Sequence, residues 1–243
     1  MKYVCCILAS WLVLTPFATA EVITAAQGTW PPFINGNAKQ PGIAVEIVTA
    51  AYRNQGYELQ FETLPWLRAL KSVQKNRIDI IPAIWFTEKR AKQFSYSHSF
   101  LDNEVVFIKR HNDPYEYSGL ESLTGKKVGI IKGYGYDNTF LTATNFEKID
   151  GYSLLVNLKQ LRSHRIDLAL ADKIVAQYTM QKSELSLTNF AFSSTPLSTY
   201  PLHIAIGQTN PNAKRYLDIF NKGLDEIKRN GQFEKIVKKY SIH

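Results

Sequence analysis

The tripeptide Arg-Ile-Asp occurs twice, at 77–79 and at 165–167. Each copy follows a short amphipathic helix pattern and opens an apolar strand. The order around the copies also repeats. In the first half, Val22-Ile23-Thr24-Ala25-Ala26 reads as a buried strand ending at Gln27-Gly28. Ile43, Ile47, Ala50 and Ala51 then recur at helical spacing, with Gly56 as the C-cap signal. Residues 58–63 alternate like a strand, Leu67, Leu70 and Val73 mark a second helix, and Arg77-Ile78-Asp79-Ile80-Ile81 turns into a third strand. In the second half, Lys127-Val128-Gly129-Ile130-Ile131 is a strand, Leu154-Leu155-Val156 reads as another, and Leu158 and Leu161 mark a short helix before Arg165-Ile166-Asp167-Leu168-Ala169-Leu170. A chain built this way is expected to fold as two similar α/β lobes.

Residues 104–109 and 202–206 read as the strands that follow the crossings between the lobes. The C-terminal segment is helical. Ala213, Leu217, Phe220, Leu224 and Ile227 keep a 3.6-residue period, Gly231 punctuates it, and Phe233, Ile236, Val237 and Tyr240 share an apolar face opposite a solvated face of lysines. The expected division is a leader at 1–20, a first lobe of 21–102 plus 200–243, and a second lobe of 103–199.

The leader follows from its pattern. Lys2 is its only charge, residues 4–14 are apolar except Ser10, Pro16 breaks the run, and Ala18-Thr19-Ala20 offers small residues to a signal peptidase. The run is too short to span a bilayer. Cleavage after Ala20 removes Cys5 and Cys6, the only cysteines in the chain. What remains is indifferent to an oxidising compartment and has no cysteine to bind a metal. The composition, 45% apolar and 21% charged, excludes disordered and fibrous classes. A net charge of +8 could favour anionic partners. An exported protein does not share a compartment with nucleic acid, so that class of partner is not expected.

In open α/β sheets the ligand-bearing loops follow the carboxyl ends of the strands. Here those loops carry Thr29-Trp30-Pro31-Pro32-Phe33, Pro65-Trp66-Leu67-Arg68, Trp85-Phe86-Thr87-Glu88-Lys89-Arg90, Lys132-Gly133-Tyr134-Gly135-Tyr136 and Ala171-Asp172-Lys173. They hold a cation, Arg90, and an anion, Asp172, from opposite lobes, together with Trp30, Trp66 and Trp85. A guanidinium grips a carboxylate through paired hydrogen bonds, a carboxylate accepts from an ammonium, and aromatic faces sandwich the body between them. The plainer readings are Arg90 as a surface helix-start residue, Asp172 as a helix cap, the tryptophans as core, and Arg68 on either the cleft or the solvent side. Asp79 and Asp167 need only a structural turn role. His98, His111, His164, His203 and His243 form no zinc pattern, no Gly-x-Ser-x-Gly elbow is present, and Gly133-Tyr134-Gly135 lacks the third glycine of a dinucleotide fingerprint.

Taken in order, these segments resemble the family 3 extracellular solute-binding proteins, the amino-acid-type receptors of ABC importers. The resemblance rests on Trp30-Pro31-Pro32-Phe33 with Gly42-Ile43-Ala44-Val45-Glu46-Ile47, on Ile78-Asp79-Ile80 through Thr87-Glu88-Lys89-Arg90 and Phe94-Ser95-Tyr96-Ser97, on Leu123-Thr124-Gly125-Lys126-Lys127-Val128-Gly129, and on Arg165-Ile166-Asp167 to Asp172. It implies a type II periplasmic-binding fold, with two lobes joined by two hinge crossovers like a Venus flytrap. It further implies that Arg90 binds an α-carboxylate and Asp172 an α-ammonium, that Trp30 and Trp66 lie around the ligand side chain, and that Tyr134 offers its backbone N–H. It implies a periplasmic monomer that serves an inner-membrane ABC permease and needs neither cofactor nor metal. One departure bears on the ligand: Pro82, Ala83 and Trp85 stand where such receptors usually carry Ser or Thr donors, and Pro82 has no N–H to give. Two alternatives share the scaffold. One is a cyclohexadienyl dehydratase-like enzyme with Asp172 or Glu88 as general acid; the other is a sensory module.

Overall fold

The computed structural model describes residues 20–185 and 187–240. The expected leader, apart from Ala20, lies outside the described residues. In chain order the elements are β1 (Glu21–Gln27), α1 (Ile43–Asn54), β2 (Tyr57–Thr63), α2 (Trp66–Gln74), β3 (Ile80–Trp85), α3 (Glu88–Ala91), β4 (Phe94–Tyr96) and β5 (Leu101–Arg110). They continue with β6 (Lys127–Ile131), α4 (Asn138–Thr142), β7 (Glu147–Gly151), α5 (Leu154–Arg162), β8 (Leu168–Asp172), α6 (Lys173–Lys182), β9 (Phe190–Phe192), β10 (Ser198–Gly207), α7 (Ala213–Arg229) and α8 (Gln232–Tyr240). Among the described residues no helix is long and apolar enough to cross a membrane.

The duplicated Arg-Ile-Asp has the same physical task in both halves. Asn76 and His164, each just before the tripeptide, are the non-glycine residues with positive φ, at 56° and 58°. Each ends its helix in the left-handed turn that satisfies the last carbonyls: Asn76 N–H donates to Val73 O and Arg77 N–H to Ser72 O, as His164 N–H does to Leu161 O and Arg165 N–H to Gln160 O. The following isoleucines, Ile78 and Ile166, are buried. The aspartates then fasten the incoming chain to the first strand of each half. Asp79 accepts from the Thr24 N–H and hydroxyl, and Asp167 accepts from the Lys127 N–H.

The sheet has the strand order β2-β1-β3-β10-β5-β8-β6-β7, with β4 on β10 and β9 on β5. β1, β2 and β3 are mutually parallel, as are β6, β7 and β8. The two sets meet through β5 and β10, which are antiparallel to each other. One end of β10 pairs with β3 and one end of β5 with β8, while residues 101–105 and 198–202 pair together in the middle. The strands expected after the crossings are therefore longer than the apolar pattern suggested, and the crossings themselves are strand. α1 packs against α7 on one face of the first half, where Tyr52 and Phe220 meet in the core.

One expectation fails locally. Leu154-Leu155-Val156 is the first turn of α5, not a strand. Ser153 caps that turn by accepting from the Val156 N–H, and Leu154, Leu158 and Leu161 are buried at helical spacing. The strand beside β6 is the more polar 147–151 segment. In α2 the buried positions are Ala69 and Val73, whereas Leu67 is 63% exposed.

Replacing Asp79 with Ala leaves the Thr24 donors at the strand edge without their acceptor. We expect a loss of roughly 1–3 kcal/mol, read as a lower urea midpoint with unchanged slope. An unaltered midpoint would remove the fastening role.

Candidate functional site

The carboxyl ends of both strand sets point at the paired middle of β5 and β10. Trp85, at the end of β3, is opposite Leu202, and Asp172, at the end of β8, is opposite Val105. The loops beyond these ends bring the first half against the second.

Arg90 sits in α3, where the Thr87 hydroxyl caps the helix by accepting from the Arg90 N–H at 3.1 Å. Its guanidinium donates to Trp85 O at 3.0 Å and, across the cleft, to Gly133 O at 3.3 Å. Its carbon lies 5.4 Å from the Trp66 ring centroid, and the Trp66 indole N–H also donates to Gly133 O. The loop comes this close because it carries glycines. Gly133 has φ +80°, and a Cβ on Gly135 would lie 2.8 Å from Arg90 Nη1 and from Thr87 Cγ2. Among the described residues no carboxylate pairs with Arg90. Burial lowers its pKa from the ordinary arginine value.

Trp85 is 4% exposed. Its ring stacks on Tyr200 at 4.8 Å, and its indole N–H donates to Asn103 Oδ1 at 3.0 Å. Asn103, fully buried, donates in turn to Asp172 Oδ2 at 2.7 Å. Asp172 Oδ1 accepts from the Val175 N–H at 2.8 Å and so caps α6. Burial pushes the Asp172 carboxyl up to about 6, against the pull of the Val175 and Asn103 hydrogen bonds. Ala83 is also on the wall, but its backbone has partners inside the fold: its N–H donates to Gln27 Oε1 and its carbonyl accepts from Gln27 Nε2.

The expected cation and anion line different cavities. A space of about 50 Å³ is lined by Arg90, Trp66, Ala83, Gln27 and Gly135. A space of about 300 Å³ is lined by Asp172, Tyr136, Leu154, Leu155, Val175 and Thr179. Trp30, Trp85 and Tyr134 belong to both walls. Tyr134, from the second half, has its ring 5.7 Å from Trp85 and 6.4 Å from Trp30. Burial pushes its hydroxyl up to about 12, with Asp172 adding to the rise and Arg90 opposing it, so the phenol feels both charges. Arg68 is exposed and lines an outward groove with Lys71 and Arg77 instead. Glu88 is exposed and lines neither space. Sequence reasoning missed Gln27, Asn103 and Tyr200. A buried Asn between Asp102 and Glu104 in a strand was the available signal for Asn103.

Residues 22–243 match the family model of the bacterial extracellular solute-binding proteins, family 3. The chain is 23% identical over 227 residues to a probable histidine-binding protein of Campylobacter jejuni, covering 90% of this chain and 86% of that one. It is also 23% identical to an L-cystine-binding protein of Escherichia coli, covering 90% and 82%. Among solved structures, an ancestral arginine-binding protein bound to arginine superposes with TM-score 0.76 at 22% identity, covering 91% of this chain and 99% of that one. A histidine kinase sensor domain with similarity to periplasmic binding proteins superposes with TM-score 0.79 at 21% identity, covering 90% and 95%. At these identities the structural likeness carries the fold alone.

The Asp172 carboxyl has a definite pH signature. Its pKa is raised from 3.8 to about 6 by folding, so between those values the folded state binds more protons than the unfolded. Its contribution is therefore present in acid and lost as pH rises through about 6. That shift corresponds to about 3 kcal/mol. We expect the stability difference between wild type and Asp172→Asn to move by that order across pH 4 to 7, with wild type losing relative stability as pH rises. A difference independent of pH would show that Asp172 titrates normally.

Proposed function

From the premise that the chain belongs to the bacterial extracellular solute-binding proteins, family 3, we propose that it captures a small amino-acid-like ligand between lobes 21–102 plus 200–243 and 103–199, hinged at the paired middle of β5 and β10. Arg90 receives the ligand carboxylate and Asp172 its ammonium. Trp30, Trp66 and Trp85 supply flat walls, with Ala83 as a small wall residue. Tyr134, which stands between the two charges, withdraws with its lobe as the cleft opens and makes one space of two.

The observation that carries this reading is Arg90 itself. A half-buried cation at the meeting of the two halves lies over the Trp66 ring and hydrogen-bonds to backbone carbonyls, one from each side. A ligand carboxylate replaces neutral acceptors with a charged one, and each such bond contributes roughly 1.5–3 kcal/mol. Because Arg90 and Asp172 come from opposite lobes, binding both ends of a zwitterion favours closure. Asp172 retains acceptor capacity, since a carboxylate has about four lone-pair sites and the Val175, Ile174 and Asn103 donors do not use them all.

The names of the relatives, all binding proteins, support capture over catalysis. Export by the leader with cleavage after Ala20, a periplasmic location, a monomeric state and delivery to an inner-membrane ABC permease complete the proposal. The fold likeness to a kinase sensor domain keeps a sensory role as the second reading. Copurification with a permease would favour import; turnover of prephenate would sink the binding-only reading.

A thermal-shift panel of amino acids, dipeptides, polyamines and organic acids tests the anchor. A ligand at about 100 times its dissociation constant adds roughly 2.7 kcal/mol of stability. We expect a carboxylated ligand to give such a shift in wild type and none in Arg90→Ala, with the unliganded melting behaviour preserved. Equal shifts in the two proteins would take Arg90 out of the site.

A further inference from the structure

The outer side of α2 carries a run of cations that nothing in the molecule neutralises. No acidic residue occurs between Glu62 and Asp79, whereas Arg68, Lys71, Lys75 and Arg77 all fall in that interval. Arg68, Lys71 and Lys75 follow one another at helical spacing on one stripe of α2 and its C-cap, and all four side chains are exposed. Among the described residues none of the four makes an ion pair. Like charges at this spacing repel, and Arg68 stands in the first turn, where the helix dipole disfavours a cation. Other basic helices are arranged differently. On α7 Lys214 pairs with Asp218 and Arg229 with Glu226, and on α8 Lys239 pairs with Glu46.

Arg68, Lys71 and Arg77 line an outward groove of about 400 Å³, with Leu64 and Ile78 as its apolar part and Glu62 as the one acid on its lining. From Arg68 to Lys75 the run extends about 10 Å along the helix axis, at a rise of about 1.5 Å per residue. A single small anion covers one or two of these cations, whereas carboxylates spaced along a chain meet them in turn. A concave site with apolar lining also suits side chains that project from a peptide better than the flat plane of lipid headgroups. We propose that this groove is a docking surface for an acidic, extended segment of a protein partner. The same helix begins with Trp66, which lines the cleft, so the occupant rests against an element that also forms a cleft wall. The surface itself lies outside the cleft, and its occupancy does not require a cleft ligand.

Fluorescence anisotropy of the purified protein with a labelled peptide of alternating glutamate and glycine tests it. The peptide should bind wild type at low salt and lose affinity as salt screens the contact. Exposed ion pairs are individually weak, so Arg68→Gln/Lys71→Gln should bind about fivefold less tightly. Glutamine is a good helix former, so that variant keeps α2. Lys235→Gln/Lys238→Gln removes the same charge from exposed positions of α8 and should bind as wild type does. Arg68→Glu/Lys71→Glu should reject the glutamate peptide and take its lysine counterpart. Equal losses in the two glutamine variants would reduce the effect to net charge and overturn the proposal, as would a peptide that does not bind wild type. Cosedimentation with phosphatidylglycerol vesicles that depends on Arg68 and Lys71, without peptide binding, would overturn it in favour of a membrane surface.

Discussion

Everything in the cleft is referred to the short antiparallel pairing of residues 101–105 with 198–202. Among the described residues it is the place where the two parallel strand sets are joined through hydrogen-bonded strand backbone, since β10 carries the first set and β5 the second. The residues that define the site are in register with it. Trp85 is opposite Leu202, Asn103 opposite Tyr200, and Asp172 opposite Val105. The stack of Trp85 on Tyr200 and the hydrogen-bonded series Trp85–Asn103–Asp172 are thus consequences of strand register. A one-residue slip would turn these side chains to the other face of the sheet and dismantle the series.

That series has an energetic logic. Asp172 is nearly inaccessible to water, and an ionised carboxylate there needs donors. They include the Val175 and Ile174 N–H groups and the Asn103 amide. The Asn103 carbonyl in turn needs a donor, which the Trp85 indole supplies. A tryptophan at the end of β3 therefore does more than fill space: it orients the amide that orients the acid on the opposite half. These donors do not fully offset burial, which is why the carboxyl titrates near neutrality rather than with ordinary aspartates.

The alternation of strands and helices was legible in the sequence because apolar period and helix-stop signals agree. The repeated Arg-Ile-Asp marked equivalent places in the two halves, and both aspartates fasten strands. Arg90, Trp66 and Tyr134 were found because they follow strand ends, where the sheet leaves backbone free to meet another surface. Leu154-Leu155-Val156 misled because three consecutive apolar residues do not distinguish strand from helix, and only the Ser153 cap settles it. The length of β5 and β10 was hidden by polar residues such as Asp102 and Glu104, whose strand conformation is dictated by pairing and not by propensity. The separation of Arg90 from Asp172 by Tyr134 was beyond the sequence, because it arises from how one lobe's loop lies against the other's wall.

The placement of Tyr134 also shows what the two charges meet where the halves come together. Its phenol lies in the field of both the guanidinium and the carboxylate. Arg90 meanwhile holds Trp85 O and Gly133 O, acceptors that carry no charge. The hydrogen bond that Arg90 makes across the cleft is thus to a neutral acceptor. In the proposed reading, a charged ligand replaces neutral partners at both ends in a site of low effective dielectric, where such interactions are larger than in water.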